Sequence, residues 1–309
     1  MELTGQLNPN VVKTALDKVF KQEFNGQMHP GLATAESSVV FNQETIDRGA
    51  VVTEIFKGTG LWGSRAEQQD VVGAAPKVTN QQTFSVTNYA QSVDISKNFF
   101  DDDQHQVYEK MVRDMAATGR ITRDTNAFAI FRNAFTTTLT NDGATLISDT
   151  HTTISGTTVD NKLTAAALSE STLNDGIVML AEQKAQDGTI RGNVAKTLLV
   201  PPKLFKPASE ITESELRSGT GNNDMNVYST KYGINVAMSP YLGAAAGGSD
   251  TAWFLLANNH SVTRWVRQGI VTDLVDYKFQ RNNNYIYKGE YREVVGAMDY
   301  IGIVGNAGA

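Results

Sequence analysis

The sequence of 309 residues contains no cysteine. Disulfide bridges, thiolate nucleophiles and cysteine-ligated metals are therefore excluded. Long apolar runs are also absent, because the longest stretch without Asp, Glu, Lys or Arg is Tyr232–Ser249, and Pro240 and several glycines interrupt it. No membrane span is therefore predicted. Charged residues interrupt Met1–Phe24 as well, so the sequence predicts no signal peptide.

Charge is scarce and slightly negative. Lys and Arg total 27 against 33 Asp and Glu, which gives a net charge of −6, and only 19% of residues are charged. A protein that binds DNA by neutralising phosphates needs an excess of positive charge, so an electrostatic DNA clamp is excluded. Uncharged polar residues are common instead, with 32 Thr and 23 Asn. The composition therefore predicts a surface that is polar without being strongly charged.

The N-terminal third combines a short helix with extended segments. Apolar spacing predicts an amphipathic helix over residues 8–25, which we expect to dock on another surface. Strands are predicted at Val51–Phe56 and in the alternating segment Val78–Ser96, with a glycine-rich connection between them. The resulting hairpin has too few apolar residues for a core of its own. It therefore needs a neighbouring surface.

The strongest helical signal covers residues 101–135. Asp101–Asp103 favours a helix N-terminus, since acidic side chains are stabilised there. If continuous, such a helix is about 50 Å long at 1.5 Å per residue, whereas a chain of this size has a radius of gyration near 19 Å. The helix is therefore expected to cross the whole molecule as a spine. Arg120 and Asp124 are spaced as an ion pair and are expected on its outer face.

The rest of the chain mixes one further helix with several strands. A helix is predicted from a Ser169 cap to a stop at Asp187-Gly188. Strands are predicted at Thr197–Val200, Ile234–Ala237, Trp253–Ala257 and Val262–Val266, followed by alternation through Val275, a turn at Asn282–Asn284 and a return over Tyr285–Val304. The chain is therefore predicted to be α+β, without an internal repeat.

One segment resembles a cofactor-binding fingerprint. Gly58–Gly63 fits G-x-G-x-x-G and follows a predicted strand. A dinucleotide site also needs a helix after the glycines and an acidic residue further on. Residues 65–72 make a poor helix that Pro76 cuts short, and no Asp or Glu lies between Val71 and Val93. A flexible hairpin tip is therefore the favoured interpretation.

Three further groups have some features of a functional site. Asp101–Asp103 with His105 suggest a metal site, Asp149 with His151 suggest an acid/base pair, and Asn259–Ser261 fits the pattern of a glycosylation acceptor. Neighbouring residues on a helix do not converge on a metal, and the acid/base pair has no identifiable nucleophile. Aromatic residues near the C-terminus are more typical of strand packing than of base stacking: Tyr277, Phe279, Tyr285, Tyr287 and Tyr291. No catalytic, cofactor-binding or metal site is predicted, and the chain is expected not to be an enzyme.

The order of these parts resembles the major capsid proteins of tailed bacteriophages, which have the Hong Kong 97-type fold. The supporting segments are Tyr89–Ser96 leading into Asp101–Asp103, Leu146–His151, Leu198–Pro202, and Ser239–Leu242 followed by Trp253–Leu256. The resemblance extends over nearly the whole chain. It implies a structural protein that assembles with copies of itself into the icosahedral head shell around packaged phage DNA.

The resemblance also implies a division of the chain. The parts are an N-terminal arm at 1–45, an extended β-hairpin loop at 46–97 that overlaps a neighbouring subunit, a peripheral domain with the spine helix at 98–135 and 265–309, and an axial domain at 136–264. Because only a short arm precedes the loop, we expect a separate scaffolding protein instead of a fused one. Some relatives form Lys–Asn crosslinks, but no motif marks such a pair here, so none is predicted.

The implied partners are copies of this chain in hexamers and pentamers, a scaffolding protein, a portal, and cement or decoration proteins. Double-stranded DNA is enclosed without sequence-specific binding, and no membrane and no cofactor take part. The implied location is the virion, after synthesis in the host bacterial cytoplasm. Two alternatives stay open at this stage: an encapsulin-type compartment shell, which shares the fold, and a nucleotide-binding enzyme that uses Gly58–Gly63.

Overall fold

The segments with periodic apolar patterns form helices and strands in the structure, which is a computed structural model. The structure describes residues 9–25, 40–71, 73, 78–98, 107–214, 225–276, 278, 280, 282 and 284–309. Its helices are α1 Pro9–Phe24, α2 Val107–Arg132, α3 Glu170–Glu182 and α4 Phe205–Thr212. Its strands are β1 Asn42–Thr45, β2 Ala50–Phe56, β3 Val78–Ser85, β4 Thr87–Ser96, β5 His151–Thr152, β6 Thr158–Val159, β7 Lys162–Leu163, β8 Ala195–Val200, β9 Asn235–Met238, β10 Trp253–Ala257, β11 Val262–Val275, β12 Asn284–Ala297 and β13 Ile303–Asn306. The predicted α+β class is confirmed.

A five-stranded sheet has the order β7-β13-β10-β8-β9, and β10 lies at its centre. Every residue of β10 is buried, because apolar layers cover both faces of the sheet. Trp253 and Leu255 pack on one face against α3 and α4. Phe254 and Leu256 pack on the other face, where the C-terminal end of α2 lies. The continuous apolar run that predicted this strand is typical of a strand buried on both sides.

A four-stranded sheet has the order β1-β11-β12-β4. Its centre is the long antiparallel pair β11 and β12, which starts at the pairing of Val262 with Ala297. Helices α1 and α2 cover one side of this sheet through an apolar cluster that includes Leu16, Phe20 and Tyr287. The surface on which the predicted N-terminal helix docks is therefore the chain's own spine helix and long sheet.

One strand of the C-terminal range 265–309 does not join the four-stranded sheet. β13 pairs with β10 and β7 in the five-stranded sheet. The chain leaves β12 after Ala297 and turns at Tyr300, whose side chain is fully buried. Sequence periodicity could not detect this change, because a strand pattern does not say which sheet the strand joins.

The spine helix is present but differs from its prediction in one respect. Its described part, α2, is continuous through Gly119 and has 26 residues, about 39 Å at 1.5 Å per residue. The predicted start at Asp101–Asp103 lies outside the described residues. Arg120 and Asp124 are 6% and 2% exposed, so their predicted place on the outer face is wrong. The end of α1 covers this side of α2, and the Arg120 guanidinium donates to the Glu23 carbonyl at 3.1 Å.

Helix α3 begins as predicted and ends earlier. Ser169 caps its N-terminus through a reciprocal capping box with Thr172. The helix stops at Glu182, before the predicted stop at Asp187-Gly188, because the Gln183 backbone leaves the helical conformation with a ψ of 129°. The Gln183 side chain donates to the Tyr300 carbonyl at 3.1 Å. Within the described ranges, no helix is long and apolar enough to cross a membrane.

A partly buried polar contact holds α1 on the sheet. The Asp17 carboxylate accepts hydrogen bonds from Thr272 Oγ1 at 2.7 Å and from the Tyr287 hydroxyl at 2.9 Å, and Lys13 Nζ lies 2.8 Å away. Burial opposes the ionisation of Asp17, but these hydrogen bonds outweigh it and lower the pKa of the carboxyl below its ordinary 3.8. The ionised carboxylate therefore stabilises the docked helix.

We expect Asp17→Asn to loosen α1 at neutral pH by about 1 kcal/mol, because charge-assisted hydrogen bonds are lost. A carboxyl with a lowered folded-state pKa contributes stability above 3.8, and the contribution is lost as the pH falls through the lower folded value. Hydrogen exchange of residues 13–24 should therefore differ between variant and native protein at pH 7 and converge only as the pH falls below the lowered folded-state pKa of Asp17. Asp47→Asn, at a side chain that is 94% exposed, is the matched control. An equal effect of both changes contradicts the prediction.

Candidate functional site

The feature that leaves the body of the chain is the hairpin formed by β2 and β3, together with the connection between them. The strands are antiparallel, with Ala50 opposite Ser85 and Phe56 opposite Val78. Gly58–Gly63 lies in the connection, and its described residues contain no helix. A dinucleotide site needs the glycines to run into a helix whose N-terminus faces the pyrophosphate. The nucleotide-binding alternative is therefore not supported by the local structure.

The base of the hairpin is anchored on the body of the chain. The Phe84 ring lies 5.1 Å from the Trp265 ring, centroid to centroid, and it also covers Gly296 so closely that a Cβ there would overlap the ring. Thr53 Oγ1 and Asn141 Oδ1 are 3.3 Å apart, and Asn141 Nδ2 donates to the Thr53 carbonyl at 3.3 Å. These contacts supply the neighbouring surface that the sequence predicted for the start of the hairpin.

Gly296→Ala is expected to release this base, because the added methyl group occupies space that the Phe84 ring fills. We expect the free energy of unfolding to fall by about 1–3 kcal/mol and trypsin to cleave faster after Lys57 and Arg65. Adding Phe84→Ala should remove most of the steric part of the effect. Gly269→Ala is the control, since nothing lies within 4 Å of its Cβ position. Unchanged proteolysis in Gly296→Ala contradicts the prediction.

The tip of the hairpin carries exposed apolar side chains. Leu61 is 85% exposed, Trp62 is 95% exposed and Val71 is 76% exposed. The start of the connection lies against the loop between α3 and β8, because a Cβ at Gly58 would be 3.2 Å from Asp187 Oδ2. The sequence contained a signal for these residues, since Leu61 and Trp62 are large apolar side chains between glycines in a polar segment. We name Leu61 and Trp62 the apolar tip.

A cavity of about 250 Å³ opens where α1, α2 and the four-stranded sheet meet. Its apolar lining is Phe20, Phe24, Tyr89, Met115, Ile270 and Tyr291, and its polar lining includes Asn88, Gln91 and Thr122. Ala90, Gly119 and Gly289 complete the walls. These residues come from α1, α2 and strands β4, β11 and β12, so the cavity exists because the N-terminal helix docks on its own chain. We name this cavity the peripheral cavity.

His151 has a structural partner that the sequence did not indicate. It is fully buried, and its Nδ1 lies 2.8 Å from Asp142 Oδ2, while its ring stacks on Tyr300 with centroids 4.4 Å apart. Burial opposes the ionisation of Asp142, but hydrogen bonds with His151 and Thr140 lower the pKa of its carboxyl. Asp149, which the sequence suggested as the partner of His151, is exposed. A pair sealed from solvent in this way cannot meet a substrate, so its role is to fix the loop.

A second buried polar group joins α2 to the long sheet. Arg264 and Glu293 are each 5% exposed, and Arg264 Nε lies 4.0 Å from Glu293 Oε2. Burial raises the pKa of Glu293, although Arg264 and Arg123 act against the shift. Arg123 in turn lies 5.0 Å from the Phe24 ring centre. These charges are buried by packing between distant segments and are structural.

The other sequence candidates do not form sites in the part of the chain that is described. No group of three or more His, Asp or Glu side chains could hold a metal there, and Asp101–Asp103 and His105 fall outside it. The Asn259 side chain is engaged with Asn193 Oδ1 at 2.8 Å. Tyr285, Tyr287 and Tyr291 are buried, which confirms that they pack. Tyr277 and Phe279 fall outside the described residues.

Comparison with known proteins agrees with this architecture. A family model described as phage capsid protein matches residues 77–306. The structure is similar to the mature capsid subunit of bacteriophage PhiM1 (TM-score 0.59, 12% identity, 92% of this chain and 89% of that chain). It is also similar to the capsid of cyanophage P-SCSP1u (0.58, 14%, 92% and 91%) and to a virus-like particle from Pyrococcus furiosus (0.57, 11%, 95% and 98%). A search of curated protein sequences finds no match.

The two sheets, the spine helix and the projecting hairpin have the Hong Kong 97-type fold of these capsid structures. The chain belongs to the phage capsid protein family, whose model matches most of its length, and it is a structural major capsid protein. It is therefore not an enzyme, it assembles with copies of itself, and its place is the virion. The encapsulin alternative is not favoured, because the matching family is that of phage capsids.

Proposed function

We propose that this chain forms hexamers and pentamers that close into an icosahedral head shell around packaged double-stranded DNA. The observation that carries the proposal is the hairpin, which contacts the body of the chain at its base and through Gly58 but ends in the exposed apolar tip. Because the Trp62 side chain is 95% exposed, covering it with a partner removes apolar surface from water and is favourable. The net charge of −6 suits a shell that encloses DNA without binding it tightly.

The proposed roles of the four segments follow their order in the chain. Residues 1–45 act as the N-terminal arm and 46–97 as the extended loop that overlaps a neighbouring subunit. The peripheral domain comprises 98–135 with 265–309. The axial domain, 136–264, presents its loops around the five-fold and six-fold positions.

The proposed partners are a separate scaffolding protein, a portal and cement or decoration proteins, and the proposed place of synthesis is the host bacterial cytoplasm. Membership of the phage capsid family supports these partners. DNA contacts are expected to be independent of sequence, since a net negative chain cannot rely on phosphate neutralisation.

Electron microscopy of the full chain, expressed alone and together with its scaffolding protein, tests the proposal. We expect closed shells with five-fold and six-fold capsomers, and shells of more uniform size when the scaffolding protein is present. A small discrete oligomer under both conditions would contradict the proposed function.

A further inference from the structure

A ring of identical subunits requires two different, complementary patches on each copy, because a head-to-tail contact joins one patch to the other. The described surface carries an apolar projection and a mainly apolar recess. A second cavity, beside α3, has charged side chains in its lining, among them Asp160, Asp175 and Glu182, and suits an apolar side chain less well. The projection is the apolar tip, Leu61 and Trp62, and the recess is the peripheral cavity. The inference rests on the proposed function, since it names the contact by which copies of this chain would join.

The apolar tip has the chemistry of a binding hot spot. Trp62 is 95% exposed and Leu61 is 85% exposed, so neither contributes to the fold of its own chain. An aromatic side chain of this kind buries roughly 150–250 Å² when it is covered, and tryptophan is enriched among residues that dominate interface energies. Binding of the tip to a second surface therefore buries much apolar area and breaks no contact within its own chain.

The peripheral cavity matches an indole ring in size and lining. An engineered apolar cavity of about 150 Å³ binds benzene, so a cavity of about 250 Å³ has room for a bicyclic ring. Aromatic walls from Phe24, Tyr89 and Tyr291 offer stacking partners. Asn88 and Thr122 lie at the same cavity and carry oxygen acceptors for an indole N–H. The tip's apolar surface and single donor fit this lining.

The chain does not fill its own cavity. Gly58, four positions before Trp62, lies against Asp187 in the loop between α3 and β8, whereas the cavity lies between α1, α2 and the four-stranded sheet. The high exposure of Trp62 shows directly that its ring occupies no cavity of the same chain. A second copy supplies both the missing tip and an identical cavity for the next copy, which is the geometry of a closing ring.

We propose that Leu61 and Trp62 of one copy insert into the peripheral cavity of a neighbouring copy, with the Trp62 ring between Tyr89 and the α1 side of the cavity. In this interface, one subunit contributes Leu61 and Trp62 and its neighbour contributes the residues that line the peripheral cavity. It also gives the docked helix α1 a second role, since α1 forms one wall of the receiving surface.

Engineered cysteines test this contact without background, because the sequence has no cysteine of its own. The test variant combines Trp62→Cys with Thr122→Cys, on the cavity side of α2. The matched control combines Trp62→Cys with Val178→Cys, since Val178 is a helix residue that is 46% exposed on α3. We expect assembled test particles, under mild oxidation, to give a ladder of disulfide-linked multimers that a reductant removes. We expect no ladder from the control.

Mixing the two single variants identifies the link as intermolecular. Chains with Trp62→Cys alone and chains with Thr122→Cys alone, assembled together, should give linked pairs and no longer multimers, with a 62–122 crosslinked peptide in mass spectra. Intact shells that form no 62–122 link, or that link 62 to 178 equally well, would overturn the inference and leave the proposed function standing. If the native chain forms no shells or rings, the proposed function fails instead.

A truncation of the tip provides an independent measurement. Trp62→Ala should raise the subunit concentration required for assembly about thirtyfold, the factor that corresponds to a hot-spot contribution of about 2 kcal/mol. Trp62→Phe should retain most of the assembly, because it keeps an aromatic ring. Both variants should show the native circular dichroism spectrum, since Trp62 is exposed in the single chain. Equal assembly of Trp62→Ala and native protein overturns the inference.

Discussion

Phe131→Ala is expected to lower the free energy of unfolding by about 3–5 kcal/mol, the range for truncating a fully buried Phe. The Phe131 ring is 0% exposed. It lies 5.6 Å from the Phe41 ring and 5.2 Å from the Phe254 ring, centroid to centroid. One side chain therefore joins the end of α2, the segment before β1 and the centre of the five-stranded sheet. Its loss leaves a cavity at the junction of the two sheets.

Urea unfolding of the unassembled subunit measures this effect, followed by circular dichroism and by the fluorescence of the buried tryptophans. Ile121→Ala on the same helix is the control, because Ile121 is 41% exposed and its change should stay within about 0.5 kcal/mol. A loss below about 1 kcal/mol in Phe131→Ala would mean that the junction relaxes around the missing ring, and the prediction would then be wrong.

The elements that the sequence predicted well are those whose signal is local. Ser169 and the apolar positions of α3 lie within a few turns of one helix, so the pattern alone predicts the cap and the buried face. The uninterrupted apolar run Trp253–Ala257 likewise predicts a strand covered on both faces. The hairpin followed from two strand patterns around a glycine-rich segment. In each case the physical cause acts between residues that are near in sequence.

The features that the sequence did not predict depend on distant pairing. Arg120 is buried because α1, about a hundred residues earlier in the chain, covers that side of α2. The strand β13 joins the five-stranded sheet through pairing with β10 and β7, which no periodicity encodes. The candidate site shows the same division: Leu61 and Trp62 are visible in the sequence, whereas the cavity proposed to receive them exists only after three distant segments pack.

The second large effect is expected at Gln183, which fastens the turn before β13. Its side chain is 3% exposed. Its Nε2 donates to the Tyr300 carbonyl at 3.1 Å, and its Oε1 accepts from the Gly302 N–H at 2.8 Å and from Asn193 Nδ2 at 3.1 Å. One amide therefore satisfies polar groups from two other segments where water has little access.

Gln183→Met keeps a side chain of similar length and removes every one of these hydrogen bonds. Each buried group left unpaired costs about 1–3 kcal/mol, so a total loss above about 3 kcal/mol is expected in urea unfolding. Hydrogen exchange should rise first at Gly302 and in β13, because the turn loses its anchor while β8 keeps its pairing with β9.

Gln268→Met is the control, since that partly exposed side chain makes one hydrogen bond of 3.4 Å, to Glu290. Its cost should stay below about 1 kcal/mol. If Gln183→Met costs no more than this control, the turn is held by the buried Tyr300 ring and not by the amide. If it costs several kcal/mol and protection is lost first in β13, the C-terminal strand depends on one side chain at the end of α3. The five-stranded sheet would then depend on a polar anchor that the strand patterns of β10 and β13 do not reveal.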